Sequence, residues 1–185
     1  MENSDKKLIQ DFLRGEEDAF ADLVRKYLKS TYNFLYQIVK EKSVVDDLTQ
    51  ETFLKAWKNI KKFDREKNFK TWLFTIAKNT AFDYFKKKKT TPFAYFETDE
   101  GYNKLEKIVD TEKDLEEIIG KKELEKDLEK KLEKLPEDYR LLLLLRYKDG
   151  FSLQEIGEIL GRPYNTIKSQ HQRALQSLKK EILKG

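Results

Sequence analysis

The sequence predicts an all-α protein made of two small helical domains joined by a flexible acidic linker, and three observations support this fold class. The 185 residues include only 7 Gly and 3 Pro, and apolar and polar residues rarely alternate as they do in strands. Aromatic residues, Leu and Ile instead recur at helical spacing within runs rich in Lys, Glu and Leu, which favour helix. The net charge is uneven along the chain: it is +6 over residues 1–89, −6 over residues 90–119 and +4 over residues 120–185.

The changes in charge and periodicity predict the domain boundaries. Residues 1–89 have the periodicity of four helices, with breaks near residues 14–15, 42–43 and 63–68. Residues 90–119 lose strong periodicity, contain Pro92 and Gly101 and are acidic, as expected of a linker. In residues 120–185 a helical leucine stripe resumes, and the C-terminal part has the spacing of a helix-turn-helix motif, so that a second domain is predicted there.

Several helix starts can be located from local chemistry. Ser43–Asp46 and Ser152–Glu155 have the spacing of a capping box, in which the serine oxygen accepts a hydrogen bond from a backbone N–H and the acid reaches back to another. Pro136 and Pro163 stand where the first helical N–H has no partner within the helix. Asp149-Gly150 is typical of a turn.

Residues 43–60 predict a helix with a core face and a distinct outward face. At about 100° per residue, the core face contains Val45, Thr49, Phe53, Ala56 and Ile60. The outward face contains Asp47, Gln50, Glu51, Leu54 and Lys58. An apolar Leu54 among carboxylates and an amide indicates a docking surface for a partner with basic or amide donors, and an ordinary solvent face with one stray leucine is the alternative. A magnesium site at Asp46, Asp47 and Glu51 is disfavoured, because Asp46 points about 100° away from Asp47 and no phosphate-binding glycine loop accompanies them.

Residues 69–89 predict a further helix with two notable faces. The core face contains Phe69, Leu73, Ile76, Ala77 and Thr80, and the neighbouring face contains Trp72, Thr75, Asn79, Phe82 and Lys86. Aromatic rings stack on unpaired bases, an amide reads a base edge at two points, and the run Lys86–Lys89 offers positive charge for a phosphate backbone. This chemistry indicates binding of single-stranded nucleic acid. In the alternative interpretation, Trp72 and Phe82 pack under a neighbouring helix and the lysines form a solvated helix end.

The helix-turn-helix combines a short helix over residues 152–160, the turn at residues 161–163 and a longer helix from Tyr164. The inner face of the longer helix contains Ile167, His171, Ala174 and Leu178. Its outer face has only donors and acceptors compatible with DNA: Asn165, Lys168, Ser169, Gln172, Arg173 and Gln176. Arg162 and Lys179-Lys180 are placed to meet phosphates. We therefore predict binding of duplex DNA, with a generic helical hairpin as the alternative, and we interpret His171 as a packing residue rather than a ligand.

The composition disfavours several other classes of protein. With no Cys and a single His, a disulfide framework and a thiolate metal site are excluded and a zinc site is disfavoured. The polar N-terminus has no apolar signal core, and no apolar run approaches the roughly 20 residues that span a membrane. We therefore expect a cytoplasmic protein without direct membrane insertion, cofactor, metal or enzymatic activity.

Three segments resemble the extracytoplasmic-function branch of the sigma-70 family. Asp46–Trp57 is similar to its polymerase-binding segment, Phe69–Asp83 to its −10 recognition segment, and Leu135-Pro136 together with elements between residues 150 and 174 to its −35-binding domain. The segments occur in the family order and cover both predicted domains. The recognition helix departs from the family pattern, since Asn165 stands where Gly is usual and Gln170-His171 replaces Arg-Leu. The −35 sequence that it recognises is therefore left open.

The resemblance implies that the chain binds core RNA polymerase and directs it to promoter DNA with −10 and −35 elements. It implies that Asp47, Gln50, Glu51 and Leu54 dock on the clamp helices of the largest polymerase subunit. It further implies that Trp72, Asn79 and Phe82 hold an unpaired −10 base, that Lys168, Ser169 and Arg173 contact the −35 duplex, and that an anti-sigma factor sequesters the protein. The alternatives are a stand-alone helix-turn-helix regulator, which would need no docking face and would normally dimerise, and a metal-dependent nucleic-acid enzyme, which lacks convincing ligands.

Overall fold

The computed structural model describes residues 2–89 and 125–183, and the chain divides into two compact units. Both described parts consist of helices joined by turns, and neither contains a strand. The predicted all-α class with two helical domains is therefore confirmed, whereas the predicted linker, residues 90–119, lies outside the described residues. In the two described parts no helix combines the length and the apolar character needed to cross a bilayer.

The first unit contains the four predicted helices. Their bounds are Glu2–Leu13 for α1, Glu17–Val39 for α2, Lys42–Asn59 for α3 and Phe69–Lys88 for α4, with a 3-10 turn at Ile60–Lys62. The helix ends have local causes. Gly15 follows α1 with a φ of +106°, and Lys40 ends α2 in the left-handed conformation, its N–H donating to the Tyr36 carbonyl at 3.1 Å. Asn68 begins α4 by accepting hydrogen bonds from two backbone N–H groups, at 2.9 and 3.3 Å.

The capping box predicted at Ser43 is wrong. The helix α3 begins at Lys42, and its N-cap is Glu41, which has extended backbone angles and makes no side-chain cap. Ser43 lies inside the first turn, where its hydroxyl donates to the Glu41 carboxylate at 3.5 Å. Because Lys40 turns the chain sharply, the Glu41 carbonyl is already in place to accept from the N–H of Val45, at 2.9 Å, and the helix starts earlier than the serine signal indicated.

The core of the first unit combines the inner faces of all four helices. Buried side chains from every helix form one cluster: Ile9, Phe20, Leu23, Tyr27, Phe53, Ala56, Ile60, Phe63, Phe69 and Leu73. Rings of α2 and α4 meet where Phe34 and Phe74 lie 5.0 Å apart between centroids. The N-terminal helix is held by Asp5, which accepts hydrogen bonds from Lys26 and from the Tyr27 hydroxyl. The helices α3 and α4, which carry two of the predicted sites, therefore pack on the same core as α1 and α2.

The second described part of the chain begins at Glu125. Its helices are Glu125–Glu133 (α5), Glu137–Leu143 (α6), Leu153–Leu160 (α7) and Tyr164–Leu183 (α8), with a π-helical turn at Leu144–Lys148 after α6. Pro136 is the N-cap of α6, and Gly150 has a φ of +76° in the turn before α7, so both predicted signals are confirmed.

The capping box predicted at Ser152 is also confirmed. The N–H and the hydroxyl of Ser152 both donate to the Glu155 carboxylate at 2.8 Å, and the N–H of Glu155 donates to the Ser152 hydroxyl at 3.2 Å. Pro163 precedes α8, and its carbonyl accepts from the N–H of Ile167 at 3.1 Å. The starts of both helices of the helix-turn-helix are thus set by local sequence.

The run of five leucines, residues 141–145, crosses from α6 into the π-helical turn. Four of them are buried and Leu144 is partly exposed. Other buried side chains of this part of the chain lie in the turns and in the helix-turn-helix: Leu135, Phe151, Ile156, Ile159, Leu160, Ile167, Ala174, Leu175 and Leu178. The helix α6 packs against α8, and α5 also contacts α8.

Candidate functional site

The outward face of α3 has the predicted character. We define the α3 face as Asp47, Gln50, Glu51 and Leu54, of which Asp47 and Gln50 are exposed, Glu51 is partly exposed and Leu54 exposes 50% of its surface. The predicted core face is buried, as expected: Val45, Thr49, Phe53, Ala56 and Ile60. Trp57 is also exposed, by 49%, and was not assigned to this face from the sequence. Its position three residues after Leu54 indicates that it lies on the same side of the helix.

The acidic side chains of α3 do not form a metal site. Among the side chains that the structure describes, which include Asp46, Asp47 and Glu51, no group of three His, Cys, Asp or Glu residues is arranged to hold a metal ion. Glu51 is instead paired with Lys55 at 2.9 Å.

Lys55 connects the α3 face with α4. Its ammonium nitrogen lies 2.9 Å from Glu51 Oε1, 3.2 Å from Thr80 Oγ1 and 3.3 Å from Asp83 Oδ2. Burial by itself lowers the pKa of Lys55, but the hydrogen bonds and charges of Glu51 and Asp83 outweigh it and raise the pKa. Lys55 therefore remains protonated at neutral pH. Helical periodicity could not indicate these contacts, because Thr80 and Asp83 are 25 and 28 residues away along the chain.

The face of α4 that we predict to bind single-stranded nucleic acid is partly engaged within the protein. We define the α4 face as Trp72, Thr75, Asn79, Phe82 and Lys86. Of these residues, Asn79 and Lys86 are exposed and the other three are partly exposed. The ring of Trp72 packs against Phe63 and Phe69 at 5.0 and 5.6 Å between centroids, and the Lys78 ammonium lies 5.2 Å from the centre of the Phe82 ring. Each aromatic ring thus has a packed side and a part that solvent reaches.

The core side of α4 agrees with the helical wheel. Phe69, Leu73, Ala77 and Thr80 are buried, and Ile76 is partly buried against the same core. The hydroxyl of Thr75 donates to the Thr71 carbonyl at 2.9 Å, which ties that side chain to its own helix. Asn79 is therefore the exposed amide of the α4 face, and Lys86 is its exposed cation.

The outer side of α8 carries the predicted DNA-binding residues at the surface. Asn165 and Lys168 are exposed and the others are partly exposed: Arg162, Ser169, Gln172, Arg173 and Gln176. Tyr164, the first residue of α8, exposes 50% of its surface and is a second addition to the sequence interpretation. The turn is closely packed, because a Cβ added to Gly157 would lie 2.8 Å from the Arg162 carbonyl oxygen.

The inner side of α8 is buried as predicted, and His171 is part of it. Ile167, His171 and Ala174 each have no exposed surface. Burial, and then the positive charge of Arg146, lower the pKa of His171 to about 4. The ring nitrogen Nε2 lies 3.2 Å from the hydroxyl oxygen of Tyr147. His171 is therefore a neutral packing residue at physiological pH, which confirms its interpretation.

The chain matches known families in both units. Residues 23–91 match the family Sigma-70 region 2, and residues 125–178 match the family Sigma-70, region 4. The ECF RNA polymerase sigma factor SigW of Bacillus subtilis is 36% identical over 98% of this chain and 98% of its own length. This chain belongs to the ECF sigma factors of the sigma-70 family. The resemblance of its three motifs is thereby confirmed.

Two solved structures share the fold of this sigma factor. The sigma factor RpoE from Bartonella quintana, solved in complex with the anti-sigma factor NepR, is 26% identical and aligns with a TM-score of 0.59 over 88% of this chain and 96% of that chain. CnrH, solved in complex with the cytosolic domain of CnrY, aligns with a TM-score of 0.63 over 97% of each chain at 22% identity.

This sigma factor is accordingly a promoter-recognising transcription initiation factor. The match to region 2 includes α3 and α4, and the match to region 4 includes most of the helix-turn-helix unit. A stand-alone helix-turn-helix regulator is set aside, because a second matched region precedes the DNA-binding motif.

Proposed function

We propose that the α3 face binds the clamp helices of the largest subunit of core RNA polymerase. The observation that carries this proposal is the exposure of Leu54, with Trp57 one turn away, on the side of α3 that also carries the exposed carboxylate of Asp47 and the exposed amide of Gln50. An apolar centre within a polar rim is the usual composition of a protein-binding surface. The carboxylates would accept hydrogen bonds from donors on the polymerase, and such bonds are strongest when the donor is a basic side chain.

A leucine truncation tests the docking surface, and the chain offers a matched control. Shortening a half-exposed leucine that becomes buried on binding costs about 1–2 kcal/mol, so Leu54→Ala should weaken core binding about tenfold. Leu28→Ala removes a leucine of α2 with 47% exposure and should bind within about twofold of the wild type. Affinity for purified core polymerase would be measured by titration of the labelled full chain. Equal affinities for the two variants and the wild type would contradict the proposed surface, and the double variant Gln50→Ala/Glu51→Ala should also bind more weakly.

We further propose that the α4 face holds the unpaired −10 element during strand opening. Asn79 is exposed beside the partly exposed ring of Phe82, and Lys86 follows on the same side of the helix. An amide next to an aromatic surface suits a single flipped or unstacked base, since the ring stacks and the amide pairs with the base edge. Trp72 and Thr75 complete the proposed contact.

The role of Asn79 can be separated from general DNA binding. Asn79→Ala should lower open-complex formation about tenfold, because one two-point base contact is worth about 1–3 kcal/mol, and should leave binding of a −35 duplex unchanged. Asn33→Ala, a partly exposed asparagine of α2, is the matched control. Open complexes would be counted by permanganate reactivity of unpaired thymines. Equal losses in strand opening and in duplex binding would exclude the assigned role.

We propose that α8 enters the major groove of the −35 element. Arg162, Asn165, Lys168, Ser169, Gln172 and Arg173 would make the contacts. The accessible donors lie on the side opposite the buried residues of α8, as in other helix-turn-helix motifs. Sequencing transcripts after overexpression would give the promoter motif on which these contacts can be tested.

The remaining parts of the proposal concern organisation and partners. We propose that residues 1–89 form the region 2 domain, residues 90–119 the linker and residues 120–185 the region 4 domain. The complex of RpoE with the anti-sigma factor NepR supports the proposal that an anti-sigma factor also sequesters this chain. We propose that it acts in the cytoplasm, without catalysis of its own, as a subunit of the polymerase.

A further inference from the structure

The side chain of Lys55 lies between the α3 face and α4, and its ammonium group contacts both helices. On α3 it pairs with Glu51, and on α4 it donates to Thr80 and Asp83. We propose that Lys55 is a positioning residue that holds the Glu51 carboxylate for polymerase docking and links this docking to α4. The proposal rests on the proposed function of the α3 face, and it adds a residue that lies on neither of the two faces.

The chemistry of lysine fits this position. An ammonium group has three N–H donors, and three oxygen acceptors lie within 3.3 Å of the nitrogen. Thr80 is on the buried side of α4, whereas the side chains of Glu51 and Asp83 are 43% and 60% exposed. Two of the contacts therefore anchor the ammonium to α4, and the third reaches out to the docking surface.

This arrangement restricts the Glu51 side chain before the polymerase binds. A free glutamate on a helix surface samples several rotamers, and a partner that needs one of them must select it. With its ammonium fixed by Thr80 and Asp83, Lys55 favours the rotamer in which Glu51 Oε1 lies 2.9 Å from the nitrogen. Replacing Asp83 should leave the ammonium group of Lys55 less restrained. A substitution on α4 should therefore change the rotamers that Glu51 adopts on the α3 face.

An ordinary surface ion pair is the competing explanation. Exposed ion pairs contribute little to stability, and many contribute nothing measurable. Such a pair would leave core affinity unaffected when Asp83 is changed. The raised pKa of Lys55 is compatible with both explanations, so the decision depends on whether Lys55 transmits the effect of Asp83 to polymerase binding.

A double-mutant cycle on core affinity tests the transmission. The full chain would be prepared as wild type, Lys55→Met, Asp83→Asn and the double variant, and each would be titrated with core polymerase. We expect Lys55→Met to weaken binding about two- to fivefold and Asp83→Asn about two- to threefold. In the double variant, Asp83→Asn should add no further loss. Lys55→Arg, which keeps the charge, should recover most of the affinity lost in Lys55→Met.

Controls separate this proposal from the proposed function. Lys7→Met, which removes an exposed lysine of α1, should bind core polymerase like the wild type. If Leu54→Ala binds normally, the docking surface itself is wrong. If Leu54→Ala is weakened but the effects of Lys55→Met and Asp83→Asn simply multiply, the docking surface stands and the role of Lys55 is overturned. Lowered melting temperatures with unchanged core affinity would assign Lys55 a structural role only, and would overturn the proposal as well.

Discussion

The buried imidazole of His171 should make the second unit sensitive to acid. Its pKa is about 4 in the folded chain and 6.5 in an ordinary solvated histidine. Because the folded state favours the neutral ring, the stabilisation is fully present above pH 6.5, falls as the pH decreases from there and levels off below about pH 4. At about 1.36 kcal/mol per pKa unit, the total loss is about 3 kcal/mol, of which about 2 kcal/mol falls between pH 7 and pH 5.

The chain allows a direct measurement because it contains a single histidine. In protein without a histidine tag, one imidazole resonance reports the protonation of His171, and its NMR titration should give a pKa about 2–3 units below that of a model peptide. Urea unfolding of the full chain at pH 7 and pH 5, followed at amides of α8, measures the energetic consequence. The variant His171→Leu has nothing to titrate at this position and should lose about 2 kcal/mol less than the wild type over the same interval.

The loss of stability between pH 7 and pH 5 must be compared between the wild type and His171→Leu, because carboxylates also titrate at acid pH. Their contribution is present in both proteins and cancels in the difference, whereas any change in packing caused by leucine alters the stability at both pH values. A measured pKa near 6.5, or identical pH dependence in the wild type and His171→Leu, would refute the assignment of a neutral buried ring.

Two further predictions concern local structure. Ser152→Ala removes the hydroxyl and with it two of the three hydrogen bonds of the capping box, while the backbone N–H of residue 152 can still donate to Glu155. This variant should lower the free energy of unfolding by about 1 kcal/mol in urea denaturation. Ser43→Ala, inside the first turn of α3, should have little effect, and similar losses in the two variants would contradict the assignment of the caps. Gly157→Ala places a methyl group 2.8 Å from the Arg162 carbonyl oxygen, so it should lower the free energy of unfolding by about 1–3 kcal/mol and weaken binding of the cognate −35 duplex. A melting temperature and a duplex affinity equal to those of the wild type would show that the turn tolerates the side chain.

Features that depend on a few neighbouring residues could be predicted from the sequence. The box at Ser152 is complete within four residues, and the glycine at position 150 supplies the turn before it. The faces of α3 and α8 follow from helical period alone, so the exposure of Leu54 and the burial of His171 were both predictable.

Features that depend on distant contacts could not be predicted in this way. The sequence around Ser43 satisfies the same pattern as Ser152, but the left-handed Lys40 moves the helix start, and nothing in the pattern specifies that conformation. Trp72 shares a stripe with Asn79, yet its ring packs on Phe63 because the chain folds back after α3. The contacts of Lys55 likewise exist only once α3 and α4 are packed together.

The π-helical turn at Leu144–Lys148 has a consequence for changes in chain length. An α-helical hydrogen bond spans four residues, whereas here the N–H of Asp149 reaches the carbonyl of Leu144, five residues back, at 3.0 Å. The turn therefore holds one residue more than an α-helix needs. Deleting Leu144, the one leucine of the run that is partly exposed, should restore ordinary helix geometry and keep the following helix-turn-helix in place. A deletion inside α8 would instead rotate every later side chain by about 100°, so tolerance of lost residues should be concentrated at this turn.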